Sequence, residues 1–173
     1  MRSQEAIALD QWLRERQRDW TEEPVVIPPD LSLPDMQEER FEDMQLFKLN
    51  MRSEKKLLVL YLHGGGYVHQ PSPAQFAFLG KLVRLTDAKL LFPVYPKAPV
   101  HSFRETYPIL LDLYRSLSRR YRDHKFVFMG DSSGAALALG LGLSLPEAKL
   151  PQPAEYILFS PFADMTLENP QLK

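Results

Sequence analysis

Two short runs of small residues carry the groups best suited to chemistry. The first is Gly130-Asp131-Ser132-Ser133-Gly134, a G-x-S-x-G pattern. Between an apolar strand and a helix, this pattern forms a sharp turn that lifts a serine hydroxyl above a sheet. Gly130 and Gly134 let backbone approach closely, and the helix N-terminus after Ser132 favours negative charge nearby. Ser133 is the rival hydroxyl, but its flanking positions would be Asp131 and Ala135, which break the frame. Taken alone, the pentapeptide also fits a Gly-rich turn with a capping serine. The second run is His63-Gly64-Gly65-Gly66-Tyr67. Glycines there let backbone N–H groups point into a site with no side chain in the way, as an oxyanion loop requires. A phosphate-binding loop is the competing reading of such a run. No Gly-Lys-Ser/Thr follows it, and the G-x-G-x-x-G spacing is absent. The two runs in this order, each behind its own apolar segment, point to acyl transfer through a serine.

The elements that must position these residues alternate along the chain. Residues 56–62 form a near-continuous apolar run, suited to a strand buried on both faces. Ser72-Pro73 opens a helix to about residue 85. Residues 89–95 read as a strand whose ladder is interrupted near Pro93. Ser102 and Glu105 form a capping box ahead of a helix marked by Tyr107, Leu110, Leu111, Tyr114, Leu117 and Tyr121. A short strand at 126–129 leads to Ser132, a small-residue helix runs over 133–145, and 156–159 is another strand. Residues 44–50 are the first strand, and the acidic stretch 35–43 before it is a solvated surface. Residues 4–20 carry apolar positions at helical spacing, and a proline-rich linker follows. The chain therefore divides at about residue 40, with 1–40 a helix and linker and 41–173 the core. The rhythm implies an α/β fold, a mostly parallel sheet with helices on both faces.

On these residues the chain resembles the hormone-sensitive-lipase branch of the α/β-hydrolases. The resemblance rests on His63 to Tyr67, on Tyr95-Pro-Lys-Ala-Pro99 with His101, on Gly130 to Gly134, and on Ser160-Pro-Phe-Ala-Asp164. It implies a carboxylesterase or lipase in which Ser132 is the nucleophile and the N–H groups of Gly64, Gly65 and Ser133 hold the oxyanion. His63, Gly66, Gly130, Asp131 and Gly134 would support the two loops, and the 4–20 helix would belong to a cap. No metal or organic cofactor is implied, and the partner is a small-molecule ester. Ser133 stands where alanine is common and Ala135 where a third glycine often does; Pro96-Lys97 replaces a more usual Arg-Leu. These changes affect packing more than chemistry.

The triad of this fold runs Ser, then Asp or Glu, then His. All four histidines, His63, His69, His101 and His124, precede Ser132. His63 is expected to brace the glycine loop, His69 and His101 to be loop residues near the entrance, and His124 to lie on the surface. Asp164 is a candidate acid, though the resemblance places it in a structural segment and the acid later. The expectation is an incomplete hydrolase core lacking its last strands and helices, inactive or impaired alone and completed by a C-terminal segment or an oligomer. An amidase or peptidase of the same fold, or a ligand-binding protein that has lost its triad, are the alternatives.

Composition bounds the partners. The 173 residues include 21 Lys and Arg against 22 Asp and Glu, a net charge of −1 that offers no handle for nucleic acid. There is no cysteine, so disulfides and thiolate metal sites are excluded. No run is apolar enough for a membrane span or signal peptide, so a cytoplasmic location is the default expectation.

Overall fold

In a computed structural model of the protein, residues 3, 4, 7, 8, 11, 12, 15, 23–31 and 33–163 are described. Six strands form one sheet: β1 (Gln37–Phe41), β2 (Met44–Leu49), β3 (Leu57–Leu62), β4 (Lys89–Val94), β5 (Lys125–Asp131) and β6 (Glu155–Phe159), in the order β1-β2-β4-β3-β5-β6. The β4-β3-β5-β6 part is parallel, and β1 and β2 add an antiparallel ribbon at one edge. Three helices connect the parallel strands: α1 (Pro73–Thr86), α2 (Phe103–Arg120) and α3 (Ser133–Ser144).

Strand alternation sends side chains to two cores. Leu58, Leu60 and Leu62 of β3 join Phe126 and Phe128 of β5 against Leu110, Tyr114 and Leu117 of α2 and Leu137 and Leu141 of α3. Val59 and Tyr61 point the other way and meet Phe76, Leu79 and Val83 of α1. The central strands β3 and β5 are apolar on both faces because helices cover both, as expected from the sequence.

Sequence signals set the helix starts. Ser72 and Gln75 form a capping box on α1, and Ser102 and Glu105 form one on α2. An N-cap of this kind contributes about 1 kcal/mol. Two expectations change in detail. The sheet begins at Gln37, not Met44, because the acidic stretch supplies an edge strand whose three central residues are exposed. The break expected at Pro93 occurs on one side only. The ladder from β3 reaches Leu91, whereas β2 stays in register past Pro93 to Val94. The 4–20 segment falls largely outside the described residues. Its described positions Gln4, Ile7, Ala8, Gln11, Trp12 and Glu15 are helical and exposed.

Candidate active site

Ser132 links the end of β5 to the start of α3 with φ 50° and ψ −119°. Non-glycine residues seldom occupy that region, and holding one there costs on the order of 1–3 kcal/mol. Neighbouring backbone holds the bend. The Ser132 N–H donates to Phe159 O at 2.9 Å, and Ser132 O accepts from Phe162 N at 3.1 Å and Ala136 N at 3.2 Å. The end of β6 thus clasps the turn. Close approach explains both glycines. A Cβ on Gly130 would lie 2.6 Å from Gly134 backbone, and one on Gly134 would lie 2.5 Å from the His63 carbonyl carbon and overlap Leu62 O. The first turn of α3 therefore rests directly on the end of β3. Ser132 is exposed, and its hydroxyl makes no hydrogen bond among the described residues.

The residues on either side of Ser132 hold the two ends of the glycine loop. On one side, Asp131 Oδ1 accepts from Gly64 N at 2.9 Å and from the Tyr61 hydroxyl at 2.5 Å. Gln75 Nε2 donates to both Asp131 oxygens at 3.2 Å. On the other side, Ser133 Oγ accepts from Tyr67 N at 3.4 Å. Tyr95 donates to His63 O at 2.6 Å, and Ala98 N donates to Tyr67 O at 2.9 Å. The Tyr95–Pro99 segment is thus a brace for the loop.

One expected donor is engaged elsewhere in this arrangement. The Gly64 N–H is occupied by Asp131, whose side chain turns toward the loop. The amides of Gly65 and Gly66 donate to no described residue. Their φ angles are +135° and +62°, a region that favours glycine. The Ser133 N–H, in the first turn of α3, has no intrahelical partner.

His63 is fully buried, stacked on Tyr95 at 4.4 Å and edge-on to Phe92 at 5.9 Å. Burial pushes its pKa down to about 4, so the ring is neutral at pH 7. Nδ1 lies 2.8 Å from Gly64 O, an acceptor, so Nδ1 carries the proton. Nε2 is buried with no partner among the described residues. Burial, then Asp131, raises the Tyr61 pKa, and burial raises that of Tyr95, which keeps both phenols as neutral donors.

The other histidines stand apart from Ser132 Oγ in hydrogen bonding. His69 is exposed, and its amide closes the loop onto Gly65 O at 2.9 Å. His124 precedes β5, at the end of the strand opposite Ser132. It was expected on the surface. Instead it is half-buried against Tyr121 at 5.1 Å, with both ring nitrogens enclosed and its pKa lowered by burial. Asp164 lies outside the described residues.

Beside the glycine loop is a cavity of about 380 Å3, lined by Tyr67, Tyr95, His101, Phe103, Tyr107 and Leu137 among others. Ser132 does not line it. Lys97, 3% exposed, also borders it and donates to Tyr95 O at 3.2 Å. No cluster of three or more metal-ligating side chains occurs among the described residues, and no described helix is long and apolar enough to cross a membrane.

Sequence reasoning missed Tyr61, Gln75 and Tyr95 as parts of the site, and gave the Ser133 side chain no part in holding the loop. One signal was available. Ser72-x-x-Gln75 is a capping box, which fixes the direction of the Gln75 side chain.

A family described as alpha/beta hydrolase fold matches residues 59–173. An esterase of Acinetobacter venetianus is 31% identical over 117 residues, covering 67% of this chain and 39% of that protein. A solved structure of a Staphylococcus aureus protein assigned as an esterase superposes with a TM-score of 0.84 at 28% identity. It covers all of this chain, which spans 58% of it. A hormone-sensitive lipase from a metagenome library gives a TM-score of 0.70 at 25% identity, over 93% of this chain and 54% of the lipase.

Proposed function

The chain belongs to the α/β-hydrolase fold family, and from that premise we propose that it carries the nucleophile and oxyanion hole of a serine carboxylic-ester hydrolase. The observation that carries this reading is the placement of Ser132. Its hydroxyl stands on a strained turn, and Asp131 and Ser133 hold a loop with two uncommitted amides beside it. In the proposed reaction Ser132 Oγ attacks the ester carbonyl carbon. The carbonyl oxygen becomes an oxyanion, which accepts hydrogen bonds from the N–H groups of Gly65, Gly66 and Ser133. Gly64 is withdrawn from that set because its amide serves Asp131. The C–O bond then breaks, the alcohol leaves with a proton, and water hydrolyses the acyl-serine. No described histidine bonds Ser132 Oγ, so the proton goes to a base outside the described residues.

Two supports come from the comparisons. The Acinetobacter relative is an esterase, and the metagenomic neighbour is a hormone-sensitive lipase. The chain spans about 40–60% of these proteins, so the activity proposed is that of the whole hydrolase.

The test is hydrolysis of short-chain p-nitrophenyl esters and the matching amides. Ester turnover is expected to exceed amide turnover, and Ser132→Ala is expected to lower kcat by roughly 10^4–10^6-fold. Retained turnover in the alanine variant would overturn the assignment. The ligand-binding alternative is favoured by the lack, among the described residues, of a base bonded to Ser132 Oγ. It predicts ester binding without any Ser132-dependent turnover.

A further inference from the structure

We propose that Gln75 is a positioning residue for the oxyanion loop, tying the N-terminus of α1 to the carboxylate that holds Gly64. Gln75 is the N3 residue of α1. Its Oε1 accepts from Ser72 N at 2.7 Å and from Ser72 Oγ at 3.1 Å. Its Nε2 donates to both oxygens of Asp131 at 3.2 Å. The network fixes the orientation of the amide, since the reverse flip would set the amide oxygen against a carboxylate and a donor against the Ser72 N–H.

A single side chain therefore caps a helix and steadies Asp131. Asp131 passes the constraint to Gly64 through a 2.9 Å bond, and Gly64 begins the loop that turns through Gly65 and Gly66. Tyr61 supplies the other side-chain donor to the same carboxylate. Without Gln75, Asp131 keeps one neutral side-chain donor and loses the one that is anchored to a separate element. The carboxylate can then rotate about its last bond, and the Gly64 amide moves with it. Where α1 starts thus helps set where the loop amides point.

Glutamine is the residue type this double duty requires. Glutamate would satisfy the cap equally well, but it would present a second carboxylate to Asp131. Gln75→Glu therefore separates the two roles, and Ser72→Ala separates them in the opposite sense. The titratable groups that act on Asp131 or are acted on by it are Tyr61, Tyr95 and His63.

The experiment is hydrogen exchange of the Gly64 amide, followed by NMR in the full chain. In Q75E at about pH 7.5, Gly64 exchange, corrected for the intrinsic rate, should rise about tenfold, the scale of one charge-assisted hydrogen bond. It should recover toward wild type near pH 5, because a carboxyl facing a carboxylate takes up a proton early and regains a donor. Q75M, of similar shape but with no donor, should show the rise without the recovery. S72A should leave Gly64 exchange within about twofold, because the Asp131 bonds remain. Unchanged exchange in both Gln75 variants, or an equal rise in S72A, would overturn the proposal.

The catalytic consequence rests on the ester-hydrolase reading. Q75E should lower kcat about tenfold with KM nearly unchanged, since the oxyanion forms only in the transition state. If the exchange responses hold and no ester is hydrolysed, the hydrolase reading fails and the loop assignment stands. If ester is hydrolysed and Q75E leaves both kcat and exchange unchanged, the reverse is true.

Discussion

His63 is a base kept neutral by enclosure, and this makes it a source of pH-dependent stability. In the unfolded chain its imidazole titrates near the ordinary value of about 6.5. In the folded protein burial lowers the pKa to about 4. Between those values the unfolded chain holds a proton that the folded chain does not, so stability rises with pH across that window. Lowering the pH from about 6.5 to about 4 should remove on the order of 3 kcal/mol. Urea unfolding of His63→Gln, which cannot titrate, should lack this part of the slope. Parallel pH profiles for the two proteins would contradict the assignment. Little of this was readable from residue order. A bracing role for His63 was expected because buried polar groups are paired. That Nδ1 bonds Gly64 O, and that Gly64 N is taken by Asp131, depends on side-chain directions that spacing does not encode.

At the level of elements, the site depends on how closely the start of α3 approaches the end of β3. Gly134 and Gly66 make a useful contrast. A Cβ at Gly134 meets rigid backbone of Leu62 and His63, whereas one at Gly66 meets nothing within 4 Å and is opposed only by its φ of +62°. Gly134→Ala should therefore cost roughly 1–3 kcal/mol or more through overpacking. Gly66→Ala should cost about 1–2 kcal/mol through the left-handed backbone. Denaturant midpoints would measure both, and equal midpoints for wild type and Gly134→Ala would refute the close approach. The helices were legible because caps and apolar periodicity agree, as at Ser102 and Glu105. β1 was not legible. Its Gln-Glu-Glu-Arg core is the composition of a solvated surface, and only pairing with β2 makes it a strand. Such charges protect a sheet edge from foreign strands.

Across the whole molecule, the two sheet edges differ. β1 is charged, whereas β6 reads Glu-Tyr-Ile-Leu-Phe and, among the described residues, pairs only with β5. Tyr156, Phe159 and Phe162 remain 37%, 46% and 41% exposed. Next to this edge, a groove of about 190 Å3 on the α1 face is lined by Val59, Leu82, Val127, Met129 and Ile157. A largely apolar edge strand, charged only at Glu155, offers its unpaired backbone to another chain. Sedimentation should therefore show self-association of the chain, weakened about tenfold by Phe159→Lys with Phe162→Lys. Association insensitive to the double variant would place the contact elsewhere. The same edge holds the turn at Ser132, because Phe159 O accepts the Ser132 amide and Phe162 N bonds Ser132 O. Whatever pairs with β6 therefore acts on Ser132 through its backbone.

The most direct measurement is covalent labelling with a fluorophosphonate, located by fragmenting the tryptic peptide that spans residues 126–149. An adduct on Ser132 that disappears in Ser132→Ala is the predicted result. An adduct on Ser133, or labelling that persists in the alanine variant, would contradict a nucleophile raised toward the glycine-loop amides.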